Sequence, residues 1–219
     1  MPSSAPNTST APAMGRITSR VLLPAALGAI GLFVAANSGA GSVGFYAATF
    51  FTAAVWLFSW LLAGRRDAFL GTYLQESVRG MALGLGLVAV FIVGAMGVRF
   101  IPALAAPVAE LLANMGTSTV WLTLVTLVVN GIGEEMFFRD VAQGEFDRSM
   151  TPSMAIISQM ALYIAVTAAM GVPLLFVAAL LIGGFATMEV KRSSRLISAS
   201  VMHVTWGIGM AFLLPVFIH

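Results

Sequence analysis

The sequence predicts an all-α fold, a polytopic membrane helix bundle of about seven transmembrane helices. Three observations carry this. Of 219 residues, 59% are hydrophobic and 9% charged, where a soluble domain carries about 25% charged residues. Mean hydropathy is +0.95. Apolar runs close to bilayer-crossing length recur along the chain, separated by short loops such as SGAGS at 38–42 and GVP at 171–173. The net charge of +2 therefore bears on membrane topology, and no nucleic-acid partner is expected. There is no cysteine, which excludes disulfide and thiolate chemistry.

The elements follow in order. Residues 1–15, MPSSAPNTSTAPAMG, are rich in Ser, Thr, Pro and Ala and lack an apolar period, so 1–18 reads as a disordered cytoplasmic tail. Arg16 and Arg20 lead into a first span at 20–37, read as an uncleaved helix rather than a signal peptide. A second span covers 43–64, a short amphipathic elbow 67–79, and a third span 80–98. Residues 100–116, FIPALAAPVAELLANMG, are too short and interrupted to cross and are placed at the interface. These helices and elbows form an N-terminal region, 19–116. The remaining spans, 117–139, 153–170, 172–188 and 196–217, form a second region, 117–217.

The basic residues support this order. Arg16, Arg20, Arg65, Arg66, Arg79, Arg139, Arg148, Lys191, Arg192 and Arg195 fall on one side of a seven-span arrangement, and Arg99 on the other. Cytoplasmic loops are the ones enriched in Lys and Arg, which puts the N-terminus inside and the C-terminus outside.

The stretch NGIGEEMFFRD, 130–140, breaks the apolar pattern. A charge at the bilayer centre costs about 2.5–3.5 kcal/mol on insertion scales, so such residues face function by default. Residues four apart on a helix share a face, which pairs Glu135 with Arg139 and leaves Glu134 pointing elsewhere, toward the face of Gly131 and Phe138. A plainer reading stays open here: the span ends at 133, both glutamates are interfacial, and Arg139 is an anchor. His203 lies about eight residues, roughly 12 Å, into the last span beyond Arg195, where it can share a cavity with Glu134. A single buried histidine can equally be a hydrogen-bonded interior group. Phe137, Phe138 and the methionines read as bundle packing.

Glu134-Glu135-Met-Phe-Phe-Arg139 resembles the EExxxR motif of the CPBP family, the CAAX prenyl-protein endopeptidases and bacteriocin-processing proteins also called the Abi family. RSSRLISASVMHVTWG, 192–207, is similar to that family's last motif, with Leu196, Ala199, His203 and Trp206 at fitting positions. The resemblance covers about 117–217. It implies an intramembrane endopeptidase in a bacterial plasma membrane that cuts a peptide or lipidated protein at the cytoplasmic side. Glu134 would be the base that activates water, Glu135 and Arg139 its supporting pair, and His203 an oxyanion donor.

Two of the family's four polar catalytic positions are replaced. Where Phe-x-x-x-His is expected the chain has Tyr163 and Thr167, and where the Asn of His-x-x-x-Asn is expected it has Gly207. Thr167 can hydrogen-bond water but cannot take a proton as imidazole does, and Gly207 offers no side-chain donor. Losing one oxyanion donor typically costs about 100- to 1,000-fold in rate. A second expectation follows: a catalytically degenerate member that keeps the fold and serves as scaffold or regulator for a membrane partner protein. Transport comes last, because no internal repeat marks paired halves. No cofactor and no metal are expected, since a catalytic zinc needs three protein ligands and Glu135 is committed to Arg139.

Overall fold

A computed structural model describes residues 15–39, 41–116 and 120–218, and all regular structure among them is helical. Most of the expected tail, 1–14, lies outside the described residues, as does His219. In chain order the helices are α1 Gly15–Asn37, α2 Val43–Ala63, α3 Tyr73–Val98, α4 Pro102–Gly116, α5 Val120–Asp147, α6 Pro152–Ala168, α7 Leu174–Ser193, α8 Ile197–Leu213 and α9 Pro215–Ile218.

Five of these, α1, α2, α3, α5 and α7, are long and apolar enough to cross a membrane, and the chain is an integral membrane protein. The apolar helices α6 and α8 have 17 residues each. They rise about 26 Å, short of a hydrocarbon core of about 30 Å. The expected count of about seven is thus five full-length helices plus two shorter ones. Three boundaries also move. The elbow placed at 67–79 turns only as far as Thr72, and its last residues open α3 at Tyr73. The first helix starts at Gly15, inside the stretch read as tail. The fourth span does not stop at 139, still less at 133: α5 runs on to Asp147.

Close approach organises the outer pair. A Cβ on Gly80 would stand 2.4 Å from the Ser198 carbonyl oxygen, and one on Gly84 2.7 Å from that of Met202. This small-xxx-small face lets the α3 and α8 backbones touch, as membrane helices do where dispersion contacts replace hydrophobic burial. Around the rest of the bundle α1 packs on α2 and α6, α7 on α6 and α8, and α5 on α2 and α8. The second half of α5 also reaches α1, α6 and α7. The helix therefore crosses from the rim at its N-terminus to the interior at its C-terminus.

The charges gather at one end of the bundle. Glu145 meets Arg16, Arg20 and Arg148; Lys191 meets Asp147; Arg79 and Arg192 share Glu189, and Arg192 also meets Glu76. Asp140 accepts from Trp60 Nε1 at 2.9 Å and pairs with Arg65 at 2.6 Å. The Leu196 amide donates to the Ala68 carbonyl at 2.8 Å, tying the α2–α3 turn to the start of α8. In that turn Arg195, bonded to Asp67, holds the Asp67 carboxyl below its ordinary value. This end carries the basic residues that the sequence groups on one side, while Arg99 follows α3 at the other end.

Candidate active site

The site is built where α5 changes its winding. Glu135–Ala142 forms a widened i→i+5 turn in an otherwise α-helical segment, and every residue of it is buried. Such π-type turns are rare and frequent at functional sites. Large rings pack along it: Phe137 stacks on Trp56 at 4.4 Å, and Phe138 meets the Tyr163 ring edge-on at 4.8 Å. Both phenylalanines are packing residues, as the sequence suggests. The reading in which the glutamates sit at a helix end is overturned, because they lie in mid-helix with Glu135 at 0% exposure.

Four charged or titratable side chains form a continuous row. Arg139 Nε stands 3.2 Å from Glu135 Oε2, Glu135 Oε1 lies 2.8 Å from His203 Nδ1, and His203 Nε2 faces Glu134 Oε2 at 3.9 Å. Tyr163 then donates its hydroxyl to Glu134 Oε2 at 3.0 Å. The expected Glu135–Arg139 pair is present, with a different task from holding a helix end. Glu135 is shared between Arg139 and the imidazole, and so orients the ring. The Arg139 guanidinium makes no hydrogen bond and is only 3% exposed. Its charge is offset by Glu135 and by the Tyr163 ring, 4.5 Å away.

With Nδ1 turned to Glu135, Nε2 is the nitrogen left to face Glu134. A gap of 3.9 Å admits one oxygen atom within hydrogen-bond distance of both groups.

Glu134 and His203 form the polar end of a cavity of about 430 Å³. Its wall is otherwise largely apolar, drawn from the ends of α1, α3, α6 and α8 and the starts of α2, α5 and α7. These are the halves of the helices away from the ion-pair end. Thr167 and Gly207 both line this cavity, so the structure gathers every position singled out from the sequence, substituted ones included, around one space or the row beneath it. A Cβ on Gly207 would meet only Leu127 Cδ2, at 3.6 Å.

Three polar groups at the cavity were given no polar role from the sequence, where Tyr163 and Trp206 entered only as motif positions and Asn130 was not singled out. Tyr163 was aligned with a phenylalanine, and its hydroxyl is what reaches Glu134. Trp206 lines the cavity with its Nε1 buried and without a partner. Asn130 lines it one turn before Glu134, with Oδ1 likewise buried and unpartnered. A signal for Asn130 existed, since an amide four residues before an intramembrane glutamate shares its face. Among the described residues, no three His, Asp or Glu side chains are grouped to hold a metal ion.

Residues 116–209 match the family described as Type II CAAX prenyl endopeptidase Rce1-like. The matched stretch contains Glu134, Glu135, Arg139, Thr167, His203 and Gly207, and leaves α1, α2 and α3 outside. No curated protein and no solved structure matches the chain.

Proposed function

The chain carries an Rce1-like segment, of the CAAX prenyl endopeptidase kind, in residues 116–209, and from that premise we propose that it is an intramembrane endopeptidase of the glutamate type. The observation that carries the reading is the Glu134 Oε2–His203 Nε2 spacing of 3.9 Å at the polar end of an apolar cavity. Glu134 takes a proton from water as the water oxygen attacks the substrate carbonyl carbon. The carbonyl electrons move onto its oxygen, and His203 Nε2 donates to that oxyanion. The C–N bond then breaks as Glu134 returns the proton to the leaving amine. Glu135 holds the ring so that Nε2 faces the reaction, Arg139 balances Glu135, and Tyr163 fixes the Glu134 carboxylate.

The cavity's chemistry suits a peptide that carries hydrocarbon, a lipidated protein being the plainest case. The basic end of the bundle is taken as cytoplasmic. His203 lies about five residues, roughly 7.5 Å, inward from Ser198, which hydrogen-bonds Glu189 in the ion-pair layer. This depth supports cleavage near the cytoplasmic side, with the hydrocarbon of the substrate extending toward the opposite face.

The test compares new protein N-termini in membranes from cells with the intact chain, a deletion, and Glu134→Gln at equal expression. The deletion and Glu134→Gln should lose the same cleavage products. Products that persist in Glu134→Gln would remove the glutamate mechanism. A pattern unchanged in both would favour a scaffold that binds a membrane protein without cutting it.

A further inference from the structure

We propose that Asn130 binds the substrate backbone, holding one residue beside the scissile bond in extended form through two hydrogen bonds. The proposal rests on the peptidase reading and adds to it a requirement for a peptide strand. Asn130 Nδ2 donates to the Thr126 carbonyl oxygen at 3.0 Å. That bond fixes which end of the amide is nitrogen, because a carbonyl oxygen needs a donor. It also uses only one of the two Nδ2 hydrogens. Oδ1 accepts nothing and is covered by its neighbours, so a substrate N–H reaches it only as the cavity wall gives way slightly. An unsatisfied buried acceptor costs about 1–3 kcal/mol, and its retention at a cavity wall calls for an explanation.

The geometry supplies one. Asn130 and Glu134 are four residues apart on one helix face and both line the cavity. In an extended chain the N–H and C=O of a single residue point the same way, as they do in a hydrogen-bonded strand pair. An amide with one free acceptor and one free donor matches that pair. The adjoining peptide bond is then brought to Glu134 one turn along the helix. An acyl chain or a sterol offers no such pair, so the cavity end at Asn130 selects for polypeptide while its apolar walls do not.

The experiment uses the purified full chain in lipid nanodiscs, with peptides spanning a bond whose cleavage is lost in Glu134→Gln membranes. Each peptide residue near the bond is N-methylated in turn, which deletes one N–H. In the intact protein one N-methyl position should lower kcat/KM by about 10-fold, the worth of one neutral hydrogen bond. Asn130→Leu, of similar shape, should lower kcat/KM for the unmodified peptide by about 10- to 100-fold, mainly through KM. At that same position N-methylation should cost Asn130→Leu nothing further. Asn130→Gln, which restores the amide, should recover part of the loss. Identical N-methyl profiles for the intact protein and Asn130→Leu, or an unchanged kcat/KM, would overturn the assignment while leaving the Glu134 mechanism standing. If no bond depends on Glu134, the peptidase reading fails and the role of Asn130 fails with it. A melting midpoint for each variant separates loss of contact from loss of fold.

Discussion

Neutralising Glu135 while leaving Arg139 in place should destabilise the bundle far more than neutralising both. Glu135 is completely buried and Arg139 is 3% exposed. The guanidinium has no hydrogen-bond acceptor, so the carboxylate 3.2 Å away is its principal compensation. Removing one member of a buried pair leaves an uncompensated charge and costs about 3–5 kcal/mol, whereas replacing both by apolar or neutral groups is often close to neutral. Glu135→Gln and Arg139→Met should therefore each cost about 3–5 kcal/mol. For a chain of this size that is a fall of roughly 6–20 °C in melting midpoint. The double variant should lie well above the sum of the two, with a coupling of at least about 2 kcal/mol. The assay is unfolding of the four proteins in one detergent, followed by helical signal, with the cycle closed on the double variant. Additive losses, or an Arg139→Met loss within about 0.5 kcal/mol, the range of an ordinary surface change, would refute the reasoning that these two charges depend on one another.

Two further outcomes test the bundle itself. Gly84→Val drives a side chain into the α8 backbone 2.7 Å away and should cost about 3 kcal/mol or more, while Gly86→Ala, with open space around it, should melt within about 0.5 kcal/mol of the parent; equal effects would deny the α3–α8 contact. Because the chain has no cysteine, single replacements report sidedness cleanly: Phe100→Cys, at the end bearing Arg99, should react with a membrane-impermeant maleimide on intact cells, and Ser149→Cys, at the ion-pair end, only after lysis, the reverse pattern inverting the topology.

The helical membrane class was legible because composition alone forces it, and the grouping of basic residues was legible because helices that alternate in direction return to the same end. Boundaries were less so. α5 was expected to end at Arg139 because a run of charges usually marks a membrane surface, yet Asp140 and Glu145 are carried inside the bundle by Arg65, Arg16 and Arg20 from elsewhere in the chain. No local pattern announces those distant partners. The same holds at the site. Glu134, Glu135, Arg139 and His203 could be picked out as charges in an apolar chain, and i,i+4 spacing found the Glu135–Arg139 pair. That spacing could not show Glu135 turning also to His203, 68 residues on, because the contact belongs to the packing of α5 against α8. Tyr163 was hidden for a different reason, since its ring packs as a phenylalanine would and only its hydroxyl has the second role.

The most direct test of the central claim is whether Glu134, acting on the water, and His203, acting on the substrate carbonyl oxygen, serve one transition state. The cleavage rate of a Glu134-dependent peptide would be measured for the intact protein, Glu134→Gln, His203→Gln and the double variant, in lipid nanodiscs under saturating substrate. If both groups serve one transition state, each single variant loses most of the activity and the double variant loses no more than the worse of the two. Losses that multiply, or cleavage that survives Glu134→Gln, would contradict the account.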